Sequence, residues 1–319
     1  MSSNYEYHSL QRLSHSLIVN CRDKGCYVAF QNSPFNPNRV IEEPTDSLEF
    51  GQLYHILVRS KEIVENPESY TNSLSVCLNP TARTPKDSEL KWISIDDNTI
   101  LYLYDFGMSR KNKAYLEIKE YLKSNNQWTD DAIICTQAEF DQCVTMVKAL
   151  YANPYYQAFF QNYELVGTEI DIMFKCDGFD CKARLDVLLK DKKSGNYFII
   201  DWKTTKNLTR EQNQVCGERM GYHIQDYMYR NAVCQKYGVG PSQVEMLFFM
   251  QNKEYPEVIY ITRFGKESYQ LADSEFCEYA RDFDFRLKKY QTDGIMSFVD
   301  NCGLLEFRHF EARLLEQPE

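Results

Sequence analysis

Two carboxylates and a lysine lie close together in the stretch Cys181 to Lys203, and their spacing is the chemically suggestive feature of the chain. The stretch reads Cys-Lys-Ala-Arg-Leu-Asp-Val-Leu-Leu-Lys, then Asp-Lys-Lys-Ser-Gly-Asn, then Tyr-Phe-Ile-Ile-Asp-Trp-Lys. Two apolar-rich runs flank a polar segment containing Ser194-Gly195-Asn196, which is a hairpin signal. Side chains along a strand alternate between faces. Strict alternation puts Ala183, Leu185, Val187 and Leu189 on one face and Lys182, Arg184 and Asp186 on the other. In the second run Phe198, Ile200 and Trp202 oppose Tyr197, Ile199, Asp201 and Lys203. Pairing the two runs then brings Asp186, Asp201 and Lys203 onto one surface. Adjacent carboxylates repel unless a cation lies between them, and hard oxygen ligands suit Mg²⁺ or Mn²⁺. A lysine beside them can polarise a water or neutralise a phosphate. The chemistry so equipped is metal-assisted phosphodiester hydrolysis. Most Asp-x-Lys matches in strands are only solvated ladder faces. Here Asp201 follows four apolar residues, so the strand reads as buried and ending in a site.

Several elements must position that hairpin. Leu10, Leu13, Leu17, Ile18 and Val28 space a helix from Ser9 to Phe30, followed by a proline-rich loop from Asn32 to Pro44. Asp46 and Glu49 form a capping pair for a second helix. That helix carries Gly51 and His55 one turn apart on one face, where glycine suits a close approach of another backbone. A short strand is expected from Ile100 to Tyr104, with a turn at Asp96-Asp97-Asn98 before it. Arg110, Lys111 and Lys113 precede a helix from Tyr115 to Leu122 and are either a solvated start or phosphate contacts. Phe140, Val144, Val147 and Leu150 stripe a helix from Gln137 to Tyr151 that Pro154 should end. Residues 165–175 read as a strand, giving an antiparallel meander with 182–190 and 196–203; Val166, Thr168, Ile170, Ile172 and Phe174 share one face of it, Glu169 and Asp171 the other. A polar connection leads to a helix from Gly221 to Tyr237 bearing a Tyr222, Gln225, Tyr229 stripe. Strands at Val244–Met250 and Val258–Phe264 follow, then helices at Ser268–Tyr290 and Gly303–Leu315.

The bulk properties narrow the classes. With 43% hydrophobic residues, 23 Tyr and 19 Phe, the chain can bury a large core. No run is long enough to span a membrane, and Met1 to Ser9 lacks the apolar core of a signal peptide, so a cytoplasmic protein is expected. The 11 cysteines form no CxxC, the nearest pairs being Cys21/Cys26 and Cys176/Cys181, so thiols are expected rather than a zinc or iron–sulfur site. A net charge of −10 argues against a protein that coats nucleic acid over its whole surface, but leaves room for a local basic groove. Lys182, Arg184, Lys190, Lys192, Lys193, Lys203, Lys206 and Arg210 cluster around the hairpin.

Taken in order, Gly51-x-x-x-His55, Glu169, Arg184-x-Asp186, Asp201-Trp202-Lys203-Thr204-Thr205 and Gln225-x-x-x-Tyr229 resemble the signature of RecB-type nucleases in the PD-(D/E)XK superfamily. The exonuclease VIII (RecE-like) group of phages and prophages looks most similar, through Cys181 to Asp186 and the Gly221 to Tyr229 helix. The similarity runs over residues 9 to 265 or so. It implies an α/β fold, a central mixed β-sheet flanked by helices like that of restriction endonucleases, with helical N- and C-terminal additions. One nuclease domain over 1–319 is expected, with a mostly helical part (1–160) contributing His55, a catalytic core (161–265) and C-terminal helices (266–319). The resemblance further implies that Asp186, Asp201, the Trp202 carbonyl, His55 and Glu169 bind Mg²⁺ or Mn²⁺. Lys203 would position the attacking water, Gln225 and Tyr229 would brace it or touch DNA, and Arg184, Lys206, Arg210 and Arg110 would bind the DNA backbone. Double-stranded DNA with free ends, a single-strand annealing recombinase and further copies of the chain are the implied partners, in a bacterial cell and from a phage or host gene. An endonuclease, a single-strand or RNA nuclease, and an inactive nucleic-acid-binding module are the alternatives.

Overall fold

The computed structural model describes residues 4–39, 45–78, 86–96, 99–105, 113–129 and 131–293. Helices α1 (Asn4–Ser9), α2 (His15–Lys24), α3 (Cys26–Gln31), α4 (Asp46–Arg59) and α5 (Lys61–Glu65) come first. Strands β1 (Asn72–Leu78), β2 (Lys86–Ser94) and β3 (Ile100–Tyr104), helix α6 (Lys113–Ser124), strand β4 (Ile133–Thr136) and helices α7 (Gln137–Ala152) and α8 (Pro154–Asn162) follow. Then come β5 (Tyr163–Cys176), β6 (Phe179–Asp191), β7 (Tyr197–Thr205), α9 (Arg210–Arg219), α10 (Tyr222–Tyr237), β8 (Val244–Asn252), β9 (Ile259–Thr262) and α11 (Lys266–Asp293).

The five strands β5 to β9 form a mixed sheet in sequence order, antiparallel except for the parallel pair β7/β8. One face is covered by α2, α3, α10 and α11, whose Leu17, Ile18, Ile224, Met228, Phe276 and Phe283 are buried on it. The other face packs on α4 and α7 through Leu53, Leu57, Phe140 and Val147. Each such side chain contributes about 1.5–3 kcal/mol when fully buried. The expected central mixed sheet flanked by helices is therefore present.

A second sheet, β1-β2-β3-β4, was not expected beyond its β3 strand. Ile93, Leu101, Leu103, Ile133 and Cys135 share the core of α4 and α7, while Leu90, Tyr102 and Ile134 pack beneath Ile118 and Leu122 of α6. The first half is thus built around a sheet as well as helices.

Other expectations need correction. The helix expected over residues 9–30 is broken into α2 and α3 by Gly25, which sits at φ +83, a region that favours glycine. The cap of α4 is Thr45, whose hydroxyl accepts from Leu48 N–H, and not Asp46. Gly51 faces open space, so close approach of a backbone does not explain it. Pro154 ends α7 but also opens α8 as its first residue, where its missing N–H is harmless. The polar connection after Thr205 contains α9, capped by Thr209 and Gln212. The expected 303–315 helix lies outside the described residues, as does Arg110. Strict alternation also fails in β6: Ala183 and Leu185 face α10, whereas Val187 and Leu189 face α4 and α7. The phase slips at Asp186, where the pairing with β7 stops.

Candidate metal centre

The site forms where β6 and β7 part. Their ladder runs from Lys190↔Tyr197 to Val187↔Ile200 and goes no further. Beyond it, the Trp202 N–H donates to Asp186 Oδ2 at 3.0 Å, so a carboxylate replaces a ladder carbonyl. The facing strand is irregular at the same level. Thr168 pairs with Val187 and Ile170 with Leu185, and Glu169 between them adopts φ +48. The irregularity swings Glu169 toward Asp186. Helix α4 supplies the third group: its buried stripe of Phe50, Leu53, Tyr54 and Leu57 seats it on the sheet, leaving His55 at the edge of that stripe.

His55 Nε2 lies 2.7 Å from the Trp202 carbonyl and His55 Nδ1 lies 3.4 Å from Asp186 Oδ2. Donor atoms of His55, Glu169 and Asp186 all fall within 4.8 Å of one another. One turn beyond His55, Arg59 reaches Glu169 at 3.6 Å.

Asp201 and Lys203 stand on the α10 side of β7. Asp201 is 2% exposed, with Oδ1 accepting from Gln225 Nε2 at 2.5 Å and Oδ2 lying 2.7 Å from Lys203 Nζ. The Lys203 ammonium also sits 4.9 Å from the Tyr222 ring. Gln225 extends to the Tyr229 phenol, which burial, then Tyr7, Asp201 and Asp186, hold well above its ordinary range. Packing of α10 here requires Gly221: at φ +70, a Cβ would meet Val19 Cγ2 at 2.5 Å.

Charges at this site are set by burial. Burial first, then the Asp201 charge, pushes the Asp186 carboxyl up to about 8. Glu169 is raised by burial and then by Asp186, and His55 is lowered by burial and then by Lys203. Lys203 goes the other way. Burial pulls its ammonium down, but Asp201, Tyr222 and Asp186 outweigh this and hold it charged. Lys203 is therefore held as a cation, a hydrogen-bond donor and not a base.

A neutral imidazole has one N–H, yet both nitrogens of His55 face oxygen acceptors. A proton on Asp186 or a cation must fill the deficit. Two carboxylates, an imidazole and a backbone carbonyl fit a divalent ion with oxygen and nitrogen ligands. The residues present therefore suit a metal, with His55, Glu169, Asp186 and the Trp202 carbonyl as its holders.

The sequence-derived set is thus brought together in two groups. His55, Glu169, Asp186 and Trp202 make the first; Asp201, Lys203, Gln225 and Tyr229 make the second, and Asp201 does not share the tight donor grouping. Arg184 is engaged rather than open: its Nε and Nη2 donate to Asp171 at 2.6 and 3.1 Å. Lys206 and Arg210 are exposed beyond the end of β7. Sequence reasoning missed Arg59 and Asp171. The i+4 spacing of Arg59 from His55 is a readable signal, whereas the Asp171↔Arg184 pairing needs the β5/β6 register.

A family model described as "PDDEXK-like domain of unknown function (DUF3799)" matches residues 14–292. Among solved structures, a protein from Eubacterium rectale provisionally named an exonuclease is similar at 13% identity, over 89% of this chain and 86% of that one, with a TM-score of 0.51. The structure of SSO0001 matches at 12% identity over 52% of this chain and 69% of that one, with a TM-score of 0.23, and no argument rests on it. No curated protein matches the sequence.

Proposed function

The chain belongs to the PDDEXK-like family whose model spans residues 14–292, and from that premise we propose that it is a nuclease hydrolysing DNA phosphodiester bonds with a bound Mg²⁺ or Mn²⁺. The observation that carries this reading is the meeting of His55, Glu169 and Asp186 beside the Asp201–Lys203 pair. A bound divalent cation would supply a polarised phosphoryl oxygen and a water of lowered pKa.

The chain's own groups do the rest. Asp186, Glu169, His55 and the Trp202 carbonyl form the ligand cradle. Asp201 and Tyr222 fix the Lys203 ammonium, which donates to the attacking water or to the phosphate oxygen as negative charge develops. Gln225 holds the Asp201 carboxylate from behind and so keeps Lys203 in place. Lys206 and Arg210 offer nonspecific backbone contacts. Arg184 stiffens the β5/β6 pair through Asp171, in addition to any phosphate contact.

Within this reading, exonucleolytic action on double-stranded ends is favoured by the motif resemblance and by the provisional name of the Eubacterium rectale neighbour. The test is incubation with end-labelled linear duplex and covalently closed circular DNA, each with Mg²⁺ or EDTA. Loss of linear DNA only with Mg²⁺, with circles spared, is the expected result. Cutting of circles would replace the exonuclease by an endonuclease, and no cleavage of either would overturn the nuclease.

A further inference from the structure

The N-terminal segment lies across the strand that leads to the metal centre. Helix α1 has only six residues, too short to persist on its own. What it docks on is unusual. Lys182, 3% exposed, donates from Nζ to the Tyr7 carbonyl at 2.8 Å and the Leu10 carbonyl at 3.0 Å. Arg39 Nη1 donates to the His8 carbonyl at 3.3 Å. The Tyr7 ring, 6% exposed, lies 4.8 Å from Lys182 Nζ and 4.2 Å from the Arg184 guanidinium. Three cations thus converge on a segment that offers them carbonyls and a ring.

Among the described residues no carboxylate forms an ion pair with Lys182. Burial, then Arg39 and Arg184, pushes its ammonium down to about 8, the mark of a poorly compensated charge. Phosphate oxygens are stronger partners for such a group than neutral carbonyls. Arg184 and Lys182 precede Asp186 by two and four residues on β6. At about 3.3 Å per residue, that is roughly 7 and 13 Å along the strand from Asp186. The segment is anchored by one buried ring, that of Tyr7, while Leu10 remains 37% exposed. Local opening of so small an element costs far less than global unfolding.

We propose that residues 4–10 form a strap over a phosphate track made by Lys182 and Arg39, and that a DNA backbone displaces it on entering the site. The inference rests on the nuclease reading and names its regulation. Weak polyanion contacts leave the strap closed, whereas a strand lying in the site trades strap carbonyls for its own phosphates.

Hydrogen exchange on the full-length protein with a blunt 40-base-pair duplex in Ca²⁺ tests this without any substitution. Amides of residues 8–12 should lose protection as the duplex binds. Tyr7→Ala should raise duplex affinity about tenfold if the strap is open about a tenth of the time in the wild type. It should also steepen the salt dependence, and adding Lys182→Gln should cancel the gain and flatten the slope by about one unit. Unchanged protection while the duplex is bound, or unchanged affinity in a folded Tyr7→Ala protein, overturns the strap alone if the wild type still cleaves DNA. A wild type that neither binds nor cleaves duplex overturns the nuclease reading and the strap with it.

Discussion

Replacing Asp186 by Asn isolates the proton that this buried carboxyl binds when no cation is supplied. In the folded chain the carboxyl is raised from 3.8 to about 8, chiefly by burial. A raised carboxyl means that the folded state binds the proton more tightly than the unfolded state. Its stabilising contribution is fully present below about pH 4 and is lost as pH rises through about 8. At about 1.4 kcal/mol per unit, the whole window spans about 6 kcal/mol, of which about 2 kcal/mol falls between pH 6 and pH 8. Asn keeps the acceptor for the Trp202 N–H but has no proton to lose. In EDTA, the melting temperature of wild type should therefore drop relative to Asp186→Asn by about 4 °C across those two pH units. Mn²⁺ should reverse the drop, stabilising wild type more at pH 8 than at pH 6 because less proton competes, and should do little for the variant. Differential scanning fluorimetry across pH, with and without Mn²⁺, is the assay. A wild-type-minus-variant difference that is flat with pH, or equal stabilisation of both proteins by Mn²⁺, refutes the reasoning.

Three further outcomes follow from the same geometry. Lys203→Met should lower turnover by about a hundredfold or more while duplex affinity in Ca²⁺ holds; a loss of affinity with normal cleavage at saturating DNA would reverse the assigned role. Lys206→Ala with Arg210→Ala should instead weaken binding and reduce the salt slope by about one unit per lost contact, with turnover at saturation unchanged. Gly221→Ala should destabilise by about 1–3 kcal/mol, because its φ disfavours a side chain and the added Cβ strikes Val19. A denaturant melt like that of wild type would show that α2 and α10 pack more loosely than described.

Legibility followed locality. The hairpin of β6 and β7, the strand ending in Asp201-Trp202-Lys203 and the stripe of Tyr222, Gln225 and Tyr229 were readable because each is encoded within one or two adjacent elements. The slip of alternation at Asp186 was not, since period-two reasoning assumes an unbroken ladder and this one stops where a carboxylate takes the Trp202 N–H. The split of the site into a His55 group and an Asp201 group depends on the same divergence. Helix α9 escaped notice because it buries only Asn213 and Gly217 and shows no apolar stripe. In the second sheet, the alternation of Leu74 and Val76 with Ser73 and Ser75 was a readable strand signal that the sequence reading did not use. His55 itself gave only a helix position. What brings it to Asp186 is the packing of α4 on the sheet, a long-range fact that the motif order implied and periodicity could not.

The most direct test of the metal centre is an anomalous difference map from crystals soaked in Mn²⁺. The account predicts a peak bounded by His55, Glu169, Asp186 and the Trp202 carbonyl, lost in Asp186→Ala crystals. A peak elsewhere, or none at saturating Mn²⁺ with the site open to solvent, would contradict it.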